Sequence, residues 1–197
     1  MSDETLTEAE FLRDVRNHQL EVLREDGLYR HLRFSQPDTI NRRFDLVTWP
    51  GHLVYTGDMG DYHFSRIRDM LVFFRGDHIN PSYWGQKLLS VGRHGGFREW
   101  RETRLKEALR DAFDCEYPDG DERIWSEVRE EIIGRADGES EETARRLVDE
   151  FTASDGWEIT DFWEYDLQGF THGFLWCCYA LVWGIRMYDR ATGEAPA

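Results

Sequence analysis

Between Phe44 and Arg66 the chain reads FDLVTWPGHLVYTGDMGDYHFSR, three short alternating runs cut by Pro50-Gly51 and by the GDMG tetrapeptide from Gly57 to Gly60. A period of two belongs to strands, because successive side chains leave opposite faces of a sheet. Phe44, Leu46 and Thr48 therefore share one face, and Asp45, Val47 and Trp49 the other. Gly57 and Gly60 allow the backbone angles that a tight hairpin demands. Upstream, YRHLRFS from Tyr29 to Ser35 alternates in the same way. The expectation is a small antiparallel β-meander of three to four strands.

Around this meander the periodicity turns helical. DETLTEAEFLRDVRNHQLEVLREDG predicts one amphipathic N-terminal helix carrying Phe11, Leu12, Val15, Leu20, Val22 and Leu23, with Gly27 as its stop. IRDMLVFFRG aligns Ile67, Met70, Leu71 and Phe74, and NPSYWGQKLLS opens a further helix at Asn80-Pro81. After the glycine-rich linker GRHGG, FREWRETRLKEALRDAF predicts a charged helix with Phe97, Trp100, Leu105, Leu109 and Phe113 as its stripe. Two acidic helices follow in ERIWSEVREEIIG and SEETARRLVDEFTA. A short helix or turn follows in DGWEITDFWEYD, where Trp157, Phe162 and Trp163 are read as core contacts. HGFLWCCYALVWGIRMYDR predicts a buried closing helix, and ATGEAPA a frayed tail. The fold class is α+β: an N-terminal helix, a meander, then a helix-rich C-terminal half. Residues 1–96 hold the helix, meander and short helices; residues 97–197 form the acidic helical region, packed with them as one compact unit.

Composition narrows the function classes. Hydrophobic residues make up 40% of the 197, enough to build a core, which argues against a disordered chain. The longest apolar run, from Phe174 to Ile185, falls well short of the roughly 20 residues a membrane span needs. No secretory leader pattern opens the chain. The adjacent Cys177 and Cys178 offer neither a disulfide framework nor a metal-binding spacing and read as small core residues of a cytoplasmic protein. No cofactor, no metal and no membrane partner is expected. Charge is the most informative quantity. Residues 1–96 carry 12 basic and 14 acidic side chains, a net of −2, whereas residues 111–166 carry 5 basic and 20 acidic, a net of −15. Such a surface repels nucleic acid and attracts a basic partner, including one whose groove normally holds DNA or RNA. Direct nucleic-acid binding is not expected. Arg30, Arg33, Arg42 and Arg43 form at most a modest basic cluster.

Two sets of residues are candidates for function. The first is His52, Asp58, Asp61, His63, Asp77 and His78. GDMGD fits G-D-x-x-D and is followed by Gly76-Asp77-His78, an order that resembles the metallophosphoesterases, in which carboxylates and imidazoles converge on two metal ions that activate water. The upstream D-x-H of that family is missing, and Asp77 stands where its third motif has Asn. The competing reading makes Asp58 a turn residue, pairs Asp61 with arginines such as Arg66, and sets His52 against His63 across the hairpin without a metal. The second set is acidic: Glu127, Glu130, Glu131, Asp137, Glu139, Glu141, Glu142, Asp149 and Glu150, an interaction face. The carboxylates Asp155, Glu158, Asp161, Glu164 and Asp166 with His172 match no ligand spacing.

The wording FDLVTWPGHLVYTGDMGDYHFSRIRDMLVFFR followed by INPSYWGQKLL resembles a family of small phage- and prophage-associated proteins of unassigned function, over roughly residues 29–90. The resemblance implies an origin on a mobile element and no mechanism. The expectation is a non-enzymatic accessory or counter-defence protein that binds and inhibits a host immune component, for example a CRISPR effector or another nucleic-acid-handling complex, through its acidic helical face. The alternatives are a metal-dependent phosphoesterase using the GDMGD hairpin, and a nucleotide-sequestering module with a pocket of aromatics near the WPG turn and Tyr83-Trp84.

Overall fold

In a computed structural model, which describes residues 6–92 and 96–193, the chain is α+β and divides into two compact units. Residues 93–95 of the GRHGG linker and residues 194–197 of the tail lie outside the described residues. Of the described residues, the first unit holds 6–92, 96–97 and 170–193. Its helices are α1 (Glu8–Val15), α2 (Met70–Phe74), α3 (Pro81–Gly85) and the closing helix α8 (His172–Thr192). Its sheet is antiparallel throughout, six strands in chain order: β1 (Gln19–Asp26), β2 (Tyr29–Ser35), β3 (Phe44–Trp49), β4 (His52–Gly57), β5 (Gly60–Ser65) and β6 (Leu88–Val91).

The alternation read from β3 is the one observed: Phe44, Leu46 and Thr48 are buried on the inner face. Cross-strand register continues that face through Leu32, Leu46, Tyr55 and Tyr62. Helix α8 covers it, with Trp176 edge-on to Phe44 at 5.5 Å and Phe34 stacked on Phe44 at 4.7 Å. Both expected turns form. Trp49 pairs His52 around Pro50-Gly51, and Gly57 pairs Gly60 around Asp58-Met59. Gly57 is required for contact as well as for the turn, since a Cβ there would sit 2.3 Å from the Arg43 carbonyl oxygen. No helix among the described residues is long and apolar enough to cross a membrane.

The sheet is larger than the sequence predicts, and both additions come from stretches that read as helix. Helix α1 begins with a capping box between Thr7 and Glu10 but ends at Val15. Residues 19–26 then form β1, paired with β2 from Gln19↔Ser35 to Asp26↔Tyr29. Gly27, at φ +59°, does not stop a helix; it takes the first central position of a two-residue hairpin turn, which favours glycine. The open hydrogen-bonding edge of β2 outweighs a helical periodicity that rests on three apolar residues. In the same way Leu88–Val91 leave α3 to pair with β5 as β6.

The second unit, residues 98–169, has its own apolar interior. Strand β7 (Arg98–Trp100) precedes α4 (Glu102–Glu116) and α5 (Glu122–Val128), and a π-helical turn at Arg129–Ile133 leads into α6 (Gly134–Ala136). Helix α7 (Glu141–Asp149), a 3-10 turn at Phe162–Glu164 and strand β8 (Gln168–Phe170) complete it. Leu105, Leu109 and Phe113 are buried as the stripe predicts, against Ile124, Val128 and Ile132, whereas Phe97 packs in the core of the other unit. Residues 98–100 are strand because β7 pairs β8, so this unit's two ends lie side by side. The two units part at residues 97/98 and 169/170, so the closing helix belongs with the sheet and not with the acidic helices.

In the sheet unit the Thr171 amide donates to the Phe97 carbonyl at 3.1 Å, so the flanks of the excursion also meet. Replacing residues 98–169 by a short Gly-Ser linker is therefore expected to leave a cooperatively unfolding sheet unit with intact near-UV circular dichroism. The excised segment alone is expected to keep its helical far-UV spectrum; loss of structure in both pieces would contradict two separate cores.

Candidate functional site

The six residues of the first candidate set fall in three places. His52 and His63 stand on the outer face of the β4–β5 hairpin, with His52 Nδ1 and His63 Nε2 3.0 Å apart. The register makes this a diagonal pair, since His52 opposes Ser65 and His63 opposes Val54. Trp49 stacks on the His52 ring at 5.0 Å and lies 5.4 Å from that of His63. Burial, and then the neighbouring His52, hold the His63 imidazole below its ordinary value.

Asp58 sits at the turn end of the hairpin. Its Oδ2 accepts from the Arg42 amide at 2.6 Å, while its own amide donates to the Arg43 carbonyl at 3.1 Å. It thereby fixes the β2–β3 loop, where Arg42 adopts φ +56°. Asp61 accepts the Thr56 hydroxyl, its cross-strand neighbour, and not Arg66. Asp77 accepts from Arg186 of α8 at 2.9 Å, and with His78 lines a cleft of about 160 Å³ that also takes in Glu8, Phe11 and Trp183. The carboxylates and imidazoles that a two-metal phosphoesterase requires are not brought together. No group of three or more His, Cys, Asp or Glu side chains able to hold a metal ion occurs among the described residues.

Packing places two further groups of residues named in the sequence. Trp84 is buried edge-on to Phe74 at 4.9 Å, and the exposed Tyr83 lies under the Lys87 ammonium at 4.6 Å. Three of the four arginines of the basic cluster are held in ion pairs: Arg30 with Asp69 at 3.1 Å, Arg33 with Asp45 at 2.9 Å and Arg42 with Asp14 at 2.7 Å. Of the carboxylates of residues 155–166, Asp155 bonds with Tyr117, Glu158 with Thr152 and Asp166 with Arg98.

The acidic set belongs entirely to the second unit, which carries ten basic and 23 acidic side chains, a net charge of −13. Glu127 caps Ser154 and Glu141 pairs with Arg145 at 2.9 Å. Glu130, Glu131, Asp137, Glu139, Glu142, Asp149 and Glu150 are exposed, and none of these side chains has a hydrogen bond or ion pair among the described residues. Local stability does not account for all of them. Glu141 and Glu142 occupy the first turn of α7, where the helix dipole favours anions, but Asp149 and Glu150 stand at its C-terminal end, where it opposes them. Glu130 and Glu131 ride on the π-helical turn.

One residue of this surface escapes the sequence reading. Trp163, taken there as core, is 73% exposed, while Trp157 and Phe162 pack inward. It rides on the 3-10 turn that follows Asp161, whose φ of +55° turns the chain so that Phe162 enters the core and Trp163 leaves it. Only the density of acidic neighbours, Glu158, Asp161, Glu164 and Asp166, marks the segment in the sequence.

The histidine pair carries a pH signature. With His63 held below its ordinary value of 6.5, the unfolded chain takes up a proton before the folded one does as the medium is acidified. Stability is therefore expected to fall as pH drops through about 6.5 and to level off below the native value of His63. The variant His63→Gln should flatten the dependence of Tm on pH between about 7.5 and 5; an unchanged slope would show that His63 does not titrate as described.

Neither a protein-family model nor a curated protein nor a solved structure matches this chain.

Proposed function

We propose that the chain is a non-enzymatic binding protein that docks its acidic helical unit on a basic protein surface of the kind that otherwise holds nucleic acid. The observation carrying this reading is the uncancelled charge of residues 98–169, where seven carboxylates of the acidic set have no partner among the described residues. A helical surface rich in carboxylates offers a basic groove a field of the same sign as that of a phosphate backbone. Trp163 supplies what charge alone lacks, a large exposed aromatic of the type that dominates interface energetics. The phage-type wording of residues 29–90 makes a host immune nuclease complex the partner of first choice, and occupation of its nucleic-acid groove the mode of inhibition.

Association is expected to weaken steeply with salt, as for any interface driven by opposite charge. Changing Glu130, Glu131, Glu139, Glu142 and Asp149 to their amides should lower affinity for a host nuclease complex at least about 100-fold at low salt and flatten the salt dependence. Trp163→Ala should cost about 2 kcal/mol without flattening it. Surface plasmon resonance at two ionic strengths, with duplex DNA as competitor, measures each effect. Binding that ignores both salt and the five substitutions would sink the proposed mode.

A further inference from the structure

We propose that His52 and His63 form an open two-imidazole site for a divalent late transition ion, with Cu2+ the tightest and Ni2+ and Zn2+ weaker. Two nitrogens bound cis to one such ion by bonds of about 2.0–2.1 Å stand roughly 2.9–3.4 Å apart, as the angle between them opens from square to tetrahedral. His52 Nδ1 and His63 Nε2 are already 3.0 Å apart. The spacing is held by the hairpin backbone: six consecutive cross-strand pairs from His52↔Ser65 to Gly57↔Gly60 fix the two Cα positions. Stacking of Trp49 on His52 restricts that ring further. Preorganisation of this kind removes most of the entropic cost of gathering two ligands.

The neutral imidazole is the form that ligates. In the ion-free pair one of the two facing nitrogens carries a proton and donates it to the other. Binding requires that ring to change tautomer, its proton passing through solvent to its other nitrogen. No net proton is released when both rings start neutral. No third His, Cys, Asp or Glu joins the pair among the described residues, and both rings are half-exposed, so water completes the coordination sphere. Ligation ties β4 to β5 on the outer face and stabilises the folded state by mass action. This site lies in the sheet unit and is independent of the acidic surface.

The test uses the full-length protein in a Cys115→Ser background, because Cys115 is an exposed thiol that would bind the same ions. Isothermal titration with CuCl2, NiCl2 and ZnCl2 is expected to show one saturable site, with no binding of MgCl2. The electron paramagnetic resonance spectrum of the one-to-one Cu2+ complex should show coupling to two imidazole nitrogens. His52→Gln and His63→Gln should each lower Cu2+ affinity at least about tenfold and lose the two-nitrogen pattern, since altering even an outer partner of a metal ligand has an effect of that size. His78→Gln, in the cleft elsewhere, should bind as the parent does. The spectrum of the parent protein decides the matter even if a variant folds poorly. Absence of a saturable site, a single-nitrogen spectrum, or unchanged affinity in both hairpin variants would overturn the assignment.

Discussion

Helix α8 lies on the inner face of the sheet at a distance set by two glycines. A Cβ at Gly184 would meet the Phe34 ring at 3.0 Å, and one at Gly173 the Met59 carbonyl oxygen at 2.4 Å. Glycine inside a helix costs about 1 kcal/mol against alanine. Here it permits Trp176, Cys177, Leu181 and Ile185 to bury completely against Phe34, Phe44 and Tyr55. Each such side chain contributes about 1.5–3 kcal/mol relative to exposure, so the close approach offsets the helical cost several times over. With one face of the sheet covered in this way, the other carries polar chemistry: the Asp45 cluster and the histidine pair.

Ion pairs between distant parts of the chain then fix the elements around that core. Arg75 and Asp189, 114 positions apart, meet through a pair of bonds at 2.7 and 2.9 Å that tie the end of α2 to the end of α8. Arg30 reaches Asp69 just ahead of α2 through two bonds of 3.1 Å. Burial pushes the Asp45 carboxyl upward, yet the bonds from Arg33 and His31 more than reverse this, so it titrates below the usual carboxylate value. Its contribution to stability is thus present above that usual value and fades as acid carries the pH through the native one. These pairs hold Arg30, Arg33 and Arg75 against carboxylates of the same unit.

The two functional readings rest on different physics in different units. In residues 98–169 the surplus of carboxylates is long-ranged, salt-sensitive and indifferent to exact geometry, which suits recognition of a charged surface. On the β4–β5 hairpin the relevant quantity is a fixed nitrogen–nitrogen separation, which is short-ranged and specific. The pairing of β7 with β8 brings the two ends of residues 98–169 together.

Much of the fold is written locally. The alternation of Phe44 to Trp49, the glycines of the two hairpin turns and the apolar run of α8 specify strands, turns and a buried helix through interactions of near neighbours, and the confinement of charge is plain in composition. What near neighbours cannot encode is the choice of distant partner. Residues 19–26 and 88–91 became edge strands because β2 and β5 offered open hydrogen-bonding edges. Trp163 was turned outward by a left-handed residue before it. His52 and His63 were expected to face one another, but only the diagonal register of β4 and β5 set their nitrogens at the spacing of a metal's ligands. Asp77 meets Arg186 of α8 instead. Local periodicity fixes which face a side chain takes, whereas closure of the chain on itself decides what that face meets.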